Sequence, residues 1–127
     1  MRTLALDIGT RRTGIAYCDD ATGIPLPLTT VHHTSQEELV AQVLAIVTAR
    51  SIDQCIIGLP LLPSGAEGAQ AEVVRRAGIE LEKKGLPCRY MDERYTTSQY
   101  RQNVAISANS DPDAAAACAI LSAAIGC

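Results

Sequence analysis

The sequence is short of aromatic residues and has no surplus of cations. Of its 127 residues four are Tyr, and none is Phe or Trp. Lys and Arg number 11 against 14 Asp and Glu, a formal net charge of −3. A nucleic-acid binder usually presents phosphate-facing cations and stacking platforms, so both shortages weigh against that class at first sight. Metal-like cysteine spacing is missing too. Cys18, Cys55, Cys88, Cys118 and Cys127 form no CxxC pair, and an odd number cannot close a full disulfide framework. They read as reduced thiols; Cys18, Cys55 and Cys88 act as small hydrophobes in or beside apolar strand-like runs. No run is long enough to span a membrane, and Asp7 interrupts the first apolar stretch too early for a signal peptide. These absences place the protein in the cytoplasm, away from membranes.

What is present is apolar material: 47% of residues are hydrophobic and 20% charged. That excludes a disordered chain and supports one domain over residues 1–127. Thr3–Ile8 and Thr13–Cys18 read as strands flanking a Gly9–Arg12 turn. Ile24–His33 follows as an extended stretch, with Pro25 and Pro27 marking an edge strand. Ser35 and Glu38 form a capping box ahead of apolar residues at helical spacing, a helix ending near Arg50. Gln54–Leu59 is a continuous apolar strand, and Pro60–Gly68 a long loop. Ala69–Lys84 is a helix stopped by Gly85 and Pro87. Cys88–Met91 is a last strand, Thr96–Gln102 a short helix or turn, and Asn103–Ser110 a polar loop. Asp111 then caps an alanine-rich helix with Pro112 in its first turn. This order predicts a mixed sheet with helices on both faces, the later strands added in parallel by right-handed crossovers.

Three carboxylates occupy places that a surface role does not explain. Asp7 sits in an apolar strand, Glu93 or its neighbour Asp92 ends another, and Asp113 opens an otherwise apolar helix. An acid in a first turn gains about 0.3–1 kcal/mol from the helix dipole, which by itself accounts for Asp113. Asp92 and Glu93 could be a solvated loop or partners of Arg94. Asp7 is harder to account for, because an uncompensated buried charge is costly. A divalent-metal site tolerates all three: carboxylate oxygens suit Mg²⁺ or Mn²⁺, and such ions work in pairs on phosphoryl substrates. Strand alternation lets only one of Asp92 and Glu93 face such a site.

Four blocks occur in the order of a known family: LALDIGTRRTGIA at 4–16, IIGLPL with GAEG at 56–68, MDERYTT at 91–97, and DAAAACAIL at 113–121. Together they resemble the YqgF/RuvX family of small RNase H-like proteins related to Holliday-junction resolvases. The resemblance covers essentially the whole chain. It implies an RNase H-like five-stranded mixed sheet and a metal-dependent nuclease acting either in 5′-end processing of pre-16S rRNA or on branched DNA. It implies Asp7, Glu93 and Asp113 as the acidic site. In that reading Asp7 bridges two Mg²⁺ or Mn²⁺ ions, and Glu93 and Asp113 each hold one from opposite flanks. The family pattern has a longer, lysine-containing segment before the final Asp, whereas Asn103–Pro112 here carries no cation.

Around the acids the nucleic-acid-binding candidates are Gly9, which permits a tight turn, Thr10 in the same turn, and Arg11 and Arg12, which project toward substrate phosphates. Arg94 and Arg101 follow the acidic block as a candidate phosphate clamp. Arg75 and Arg76 fit a phosphate contact and a solvated helix face equally, and the 60–68 loop is a candidate substrate contact. His32 and His33 read as a surface pair on an edge strand, pointing opposite ways. Two rivals stand beside the nuclease. Asp7-Ile8-Gly9-Thr10 also matches the phosphate turn of sugar kinases and actin-like ATPases, although those close two such domains over ATP. A non-catalytic nucleic-acid-binding module is the other, but it gains nothing from three converging acids. A homodimer would suit symmetric junction cutting.

Overall fold

The computed structural model describes residues 1–93 and 112–125. Five strands form one sheet: β1 (Arg2–Ile8), β2 (Arg12–Asp19), β3 (Leu26–His32), β4 (Gln54–Leu59) and β5 (Cys88–Asp92). Their spatial order is β3-β2-β1-β4-β5, with β1–β2 and β2–β3 antiparallel and β1–β4 and β4–β5 parallel. Helices α1 (Gln36–Arg50) and α2 (Ala69–Lys83) connect the parallel strands, and α3 (Pro112–Ile125) follows. The mixed five-stranded sheet and the alternating second half match the pattern read from the sequence. The expected Thr96–Gln102 helix, the Asn103–Ser110 loop and the Asp111 cap lie outside the described residues.

Strand alternation divides the core into two layers. Leu4, Leu6, Ile15 and Ile57 point to one face, where they pack with Leu39, Val43, Val74 and Leu81 of α1 and α2. Burying each such side chain contributes about 1.5–3 kcal/mol. Ala5, Ala16, Cys18 and Ile56 point to the other face and meet Ala117, Cys118, Ile120 and Leu121 of α3. Ala5 and Ala16 are direct partners in the β1–β2 ladder, so α3 rests on a floor of small side chains. Its own facing surface is small as well, with Ala114, Ala115, Ala116 and Ala117 all buried.

Local signals set the element ends. Ser35 Oγ accepts the Glu38 N–H at 3.1 Å, while the Glu38 carboxylate takes the Thr34 hydroxyl at 3.0 Å. The α1 cap is therefore shared between Thr34 and Ser35, where the sequence suggested a box closed by Ser35 and Glu38 alone. Ser51 ends that helix in the left-handed region at φ 55°. Gly85, at φ +96°, turns the chain after α2. At the edge, β3 starts at Leu26, and its register shifts where Pro27 pairs with Ala16, an irregularity the edge position tolerates.

Candidate active site

The site is built at the end of β1. The Gly9 N–H donates to the Arg12 carbonyl at 2.8 Å and closes the β1–β2 turn. A Cβ at Gly9 would stand 2.7 Å from that carbonyl, so the turn needs glycine. Gln70, from the first turn of α2, donates its side-chain amide to the Ile8 carbonyl at 3.2 Å and fixes the strand end. His33 holds the other side of the turn: its backbone N–H donates to the Arg11 carbonyl at 3.0 Å, and its Nε2 lies 2.8 Å from Thr13 Oγ1. His32 is exposed and His33 is 5% exposed, so the two rings do face opposite ways. The surface pair expected from the sequence is corrected, because His33 packs under the turn as a buried anchor.

Burial pushes the His33 pKa below the ordinary value of 6.5, against the opposing pull of Glu38. A depressed folded pKa favours the neutral ring. The stability it contributes is complete above pH 6.5 and is lost as pH falls from there through the lower folded value. Thermal melts on either side of pH 6.5 should therefore show a loss on acidification that is shallower in His33→Gln. Equal slopes in the two proteins would remove His33 from this role.

Asp7 and Asp113 are brought together by small residues. Asp7 pairs directly with Gly14 in the β1–β2 ladder, on the face that carries Ala5 and hence α3. Gly14 has no side chain, and the Asp113 carbonyl and the Ala114 N–H of α3 occupy the space a Cβ would take. The first turn of α3 is thus seated beside Asp7. Asp7 is half-buried, not enclosed as the apolar run suggested. It is the next-to-last residue of β1 and lines an open cleft at the strand end. Asp113 is half-buried too, and its Oδ2 lies 3.4 Å from Arg12 Nε.

Glu93, which follows β5, stands on the same face two strands away, with β4 between. Its Oε1 lies 2.5 Å from where a Gly58 Cβ would be, and Ile120 of α3 covers the same spot. Met91 packs into the α3 layer, whereas Asp92 pairs with Leu59, whose side chain belongs to the α1–α2 layer. Of the two neighbouring acids, Glu93 shares the α3 face with Asp7 and Asp113.

Asp7, Ile8, Gly9, Thr10, Arg11, Arg12 and Asp113 line an open cleft of about 380 Å³. Two acids, two cations and the Gly9–Arg12 turn therefore share one cleft. Glu93 is not part of that lining, and among the described residues no three His, Cys, Asp or Glu side chains gather closely enough to hold a metal. The donor chemistry nevertheless suits a hard divalent ion: among the described residues both ligand-type side chains on the cleft are carboxylates, with neither thiol nor imidazole beside them.

Other candidates fall elsewhere. Arg75 pairs with Glu67 and lies over the Tyr90 ring, and Arg76 pairs with Glu72. Neither arginine lines the cleft, and no residue of the 60–68 loop does. Arg94 and Arg101 lie outside the described residues. Sequence reasoning passed over Gly14, Gly58, Gln70 and the anchoring role of His33. A glycine inside a strand is a recognised sign of close backbone approach, so the first two were detectable. Gln70 carries no such signal.

Comparison with known proteins agrees with this architecture. The family model described as "RuvX: Holliday junction resolvase" matches residues 1–126. The "Putative pre-16S rRNA nuclease" of Chloroflexus aurantiacus is 40% identical over 95 residues, 74% of this chain and 62% of that protein. The protein of the same description from Trichormus variabilis is 39% identical over 100 residues, 78% of this chain and 66% of its own. The matched segment thus spans less than two thirds of these curated relatives. Among solved structures, Thermus thermophilus RuvC in complex with a Holliday junction substrate superposes with a TM-score of 0.68 at 12% identity, covering 94% of this chain and 89% of that one. The large terminase nuclease of phage G20c gives 0.61 at 10% identity, covering 98% and 82%. Identities this low establish the fold, the RNase H-like arrangement expected from the motif blocks. Taken with relatives near 40% identity, the match over residues 1–126 shows that the chain belongs to the RuvX family.

Proposed function

We propose that this chain is a divalent-metal-dependent nuclease that hydrolyses phosphodiester bonds in structured RNA, in 5′-end processing of pre-16S rRNA. The observation that carries this reading is the cleft at the end of β1, where the Asp7 and Asp113 carboxylates face Arg11 and Arg12. Branched DNA is the second reading, favoured by the description of the matching family. Both draw on one chemistry. Asp7 and Asp113 would hold Mg²⁺ or Mn²⁺, two ions when Glu93 joins them. Bound ions of this kind polarise a phosphoryl oxygen and offset its charge.

The chain's own residues do the rest. Arg11 and Arg12 attract the phosphate backbone, and Arg94 and Arg101 extend that grip in the sequence-based reading. Arg12 also orients Asp113, while Gly9 and His33 hold the turn that carries both arginines. Among the described residues no aromatic side chain lines the cleft, and with four Tyr and no Phe or Trp in the sequence recognition runs through backbone and shape, with little base readout. Net charge of −3 is no obstacle, since cations lie beside the acids and bound ions would reverse the local sign. The reading places the protein in the cytoplasm, with homodimer formation belonging to the junction alternative.

The test is a substrate panel: pre-rRNA 5′ leader, single strands and a four-way junction, each with Mg²⁺, Mn²⁺ or chelator. Metal-dependent cutting of the leader supports the first reading, and paired cuts in the junction the second. ATP hydrolysis without cutting would support the kinase-like rival, and salt-sensitive binding without cutting a passive module.

Arg12 separates recognition from stability. Its pair with Asp113 joins a 62% exposed side chain to a 31% exposed one, a setting where ion pairs contribute less than about 1 kcal/mol. Arg12→Ala should leave the melting temperature nearly unchanged. It should weaken nucleic-acid binding for every sequence and lower the slope of log affinity on log salt by about one. An unchanged salt slope would remove Arg12 from the phosphate path.

A further inference from the structure

The cysteines are unused by the nuclease reading, and two of them stand side by side. Cys55 and Cys88 are direct partners where β4 and β5 begin to pair. Neighbouring strands run about 4.8 Å apart, inside the roughly 4.4–6.8 Å Cα separation that a disulfide spans. Both side chains point into the α1–α2 layer: Cys55 is fully buried in it, and Cys88 packs against it half-buried. The Cys88 thiol donates to the Leu86 carbonyl at 3.4 Å, which holds its sulfur at the start of β5. Cys18 and Cys118 are buried in the opposite layer, under α3, with the sheet between them and this pair.

We propose that Cys55 and Cys88 form a disulfide site, oxidised by hydrogen peroxide and reversed by thiols, that cross-links β4 to β5. The division of labour follows from exposure. The adjacent Cys55 thiol lowers the Cys88 pKa, against burial and the repulsion of Glu82. The neighbouring Cys88 and full burial raise the Cys55 pKa well above the thiol range. Cys88 is thus the more thiolate-like and the more accessible sulfur, the pairing of properties that makes a thiol peroxide-sensitive. Its thiolate attacks the peroxide O–O bond, giving Cys88 sulfenic acid and one water. The Cys55 sulfur then displaces hydroxide from Cys88, forming the S–S bond and a second water. The two thiols lose two electrons and two protons, and the peroxide takes up both.

The site is independent of the nuclease reading, and its test needs no substrate. The full chain is treated with hydrogen peroxide, remaining thiols are alkylated, and a non-reducing tryptic map is recorded. The expected result is one new species joining peptide Ser51–Arg75 to peptide Gly85–Arg89, with the mass of two hydrogens lost. It grows with peroxide dose and disappears with dithiothreitol. Cys55→Ala should abolish it and leave a Cys88 sulfenic acid that a 1,3-diketone traps. Recovery of both peptides fully alkylated would overturn the proposal. So would a link from Cys88 to a second copy of the chain, or progress of Cys88 to the sulfinic acid while Cys55 stays reduced. Should Cys55→Ala prove insoluble, the wild-type map decides alone.

Discussion

Gly14→Ala should be among the most damaging single-methyl additions in this chain. The methyl group would overlap the Asp113 carbonyl and stand 2.9 Å from the Ala114 nitrogen. Both are backbone atoms of a helix whose buried face is locked against the sheet, so no side-chain tip can swing away. Either α3 lifts at its first turn or β2 bends. Overpacking of this kind typically costs 1–3 kcal/mol, and a backbone collision belongs at the upper end, about 3 kcal/mol. For a domain of this size that corresponds to a fall of about 10 °C in melting temperature. Lifting the helix also moves Asp113 away from Asp7 and Arg12, so metal-dependent cleavage should fall with stability. Gly58→Ala provides the contrast. There the added carbon meets Glu93 Oε1 at 2.5 Å and Ile120 Cδ1 at 2.6 Å, both ends of flexible side chains. Its cost should be about 1 kcal/mol, with a larger effect on Glu93 than on the fold. Equal melting temperatures for Gly14→Ala and wild type would mean that α3 does not rest on β2 at this point.

That contrast also marks what could be read in the sequence. Strand and helix positions were legible because apolar periodicity and glycine, proline and serine punctuation act locally. Leu4, Leu6 and Ile8 alternate with Ala5 and Asp7, and that alternation alone assigns them to opposite faces. The choice between Asp92 and Glu93 was not legible. It depends on which face α3 covers, and α3 begins only at Pro112, about 20 residues further along the sequence. His33 was misread for a related reason. An edge strand suggests solvent on its outer side, yet the end of β3 passes beneath the Gly9–Arg12 turn, a contact between segments about 20 residues apart. Gly14 combined both situations. Its type and position announced a close approach, but the partner, a helix about 100 residues later, had no local signature.

Asp7→Asn tests the chemistry with the least disturbance to the fold. The substitution keeps size and shape and removes one negative charge from a half-buried position beside Asp113. Melting temperature without metal should stay close to wild type, or rise slightly as repulsion between the two acids is relieved. Activity should not survive. A divalent ion contributes several kcal/mol to phosphoryl transfer, and at about 1.4 kcal/mol per factor of ten its loss lowers cleavage about a hundredfold to a thousandfold. A second readout is independent of turnover. Mg²⁺ or Mn²⁺ should raise the melting temperature of the wild type, because an ion that binds only the folded state stabilises it, and that rise should vanish in Asp7→Asn. Glu93→Gln should share the loss of cleavage, since Glu93 lies on the α3 face with Asp7, whereas Asp92→Asn should cut nearly as well as wild type, since its ladder partner Leu59 faces the α1–α2 layer. Cleavage by Asp7→Asn within a few-fold of wild type would overturn the acidic-site assignment. A reversed order, with Asp92→Asn inactive and Glu93→Gln active, would keep a metal site and move its third ligand to the other acid.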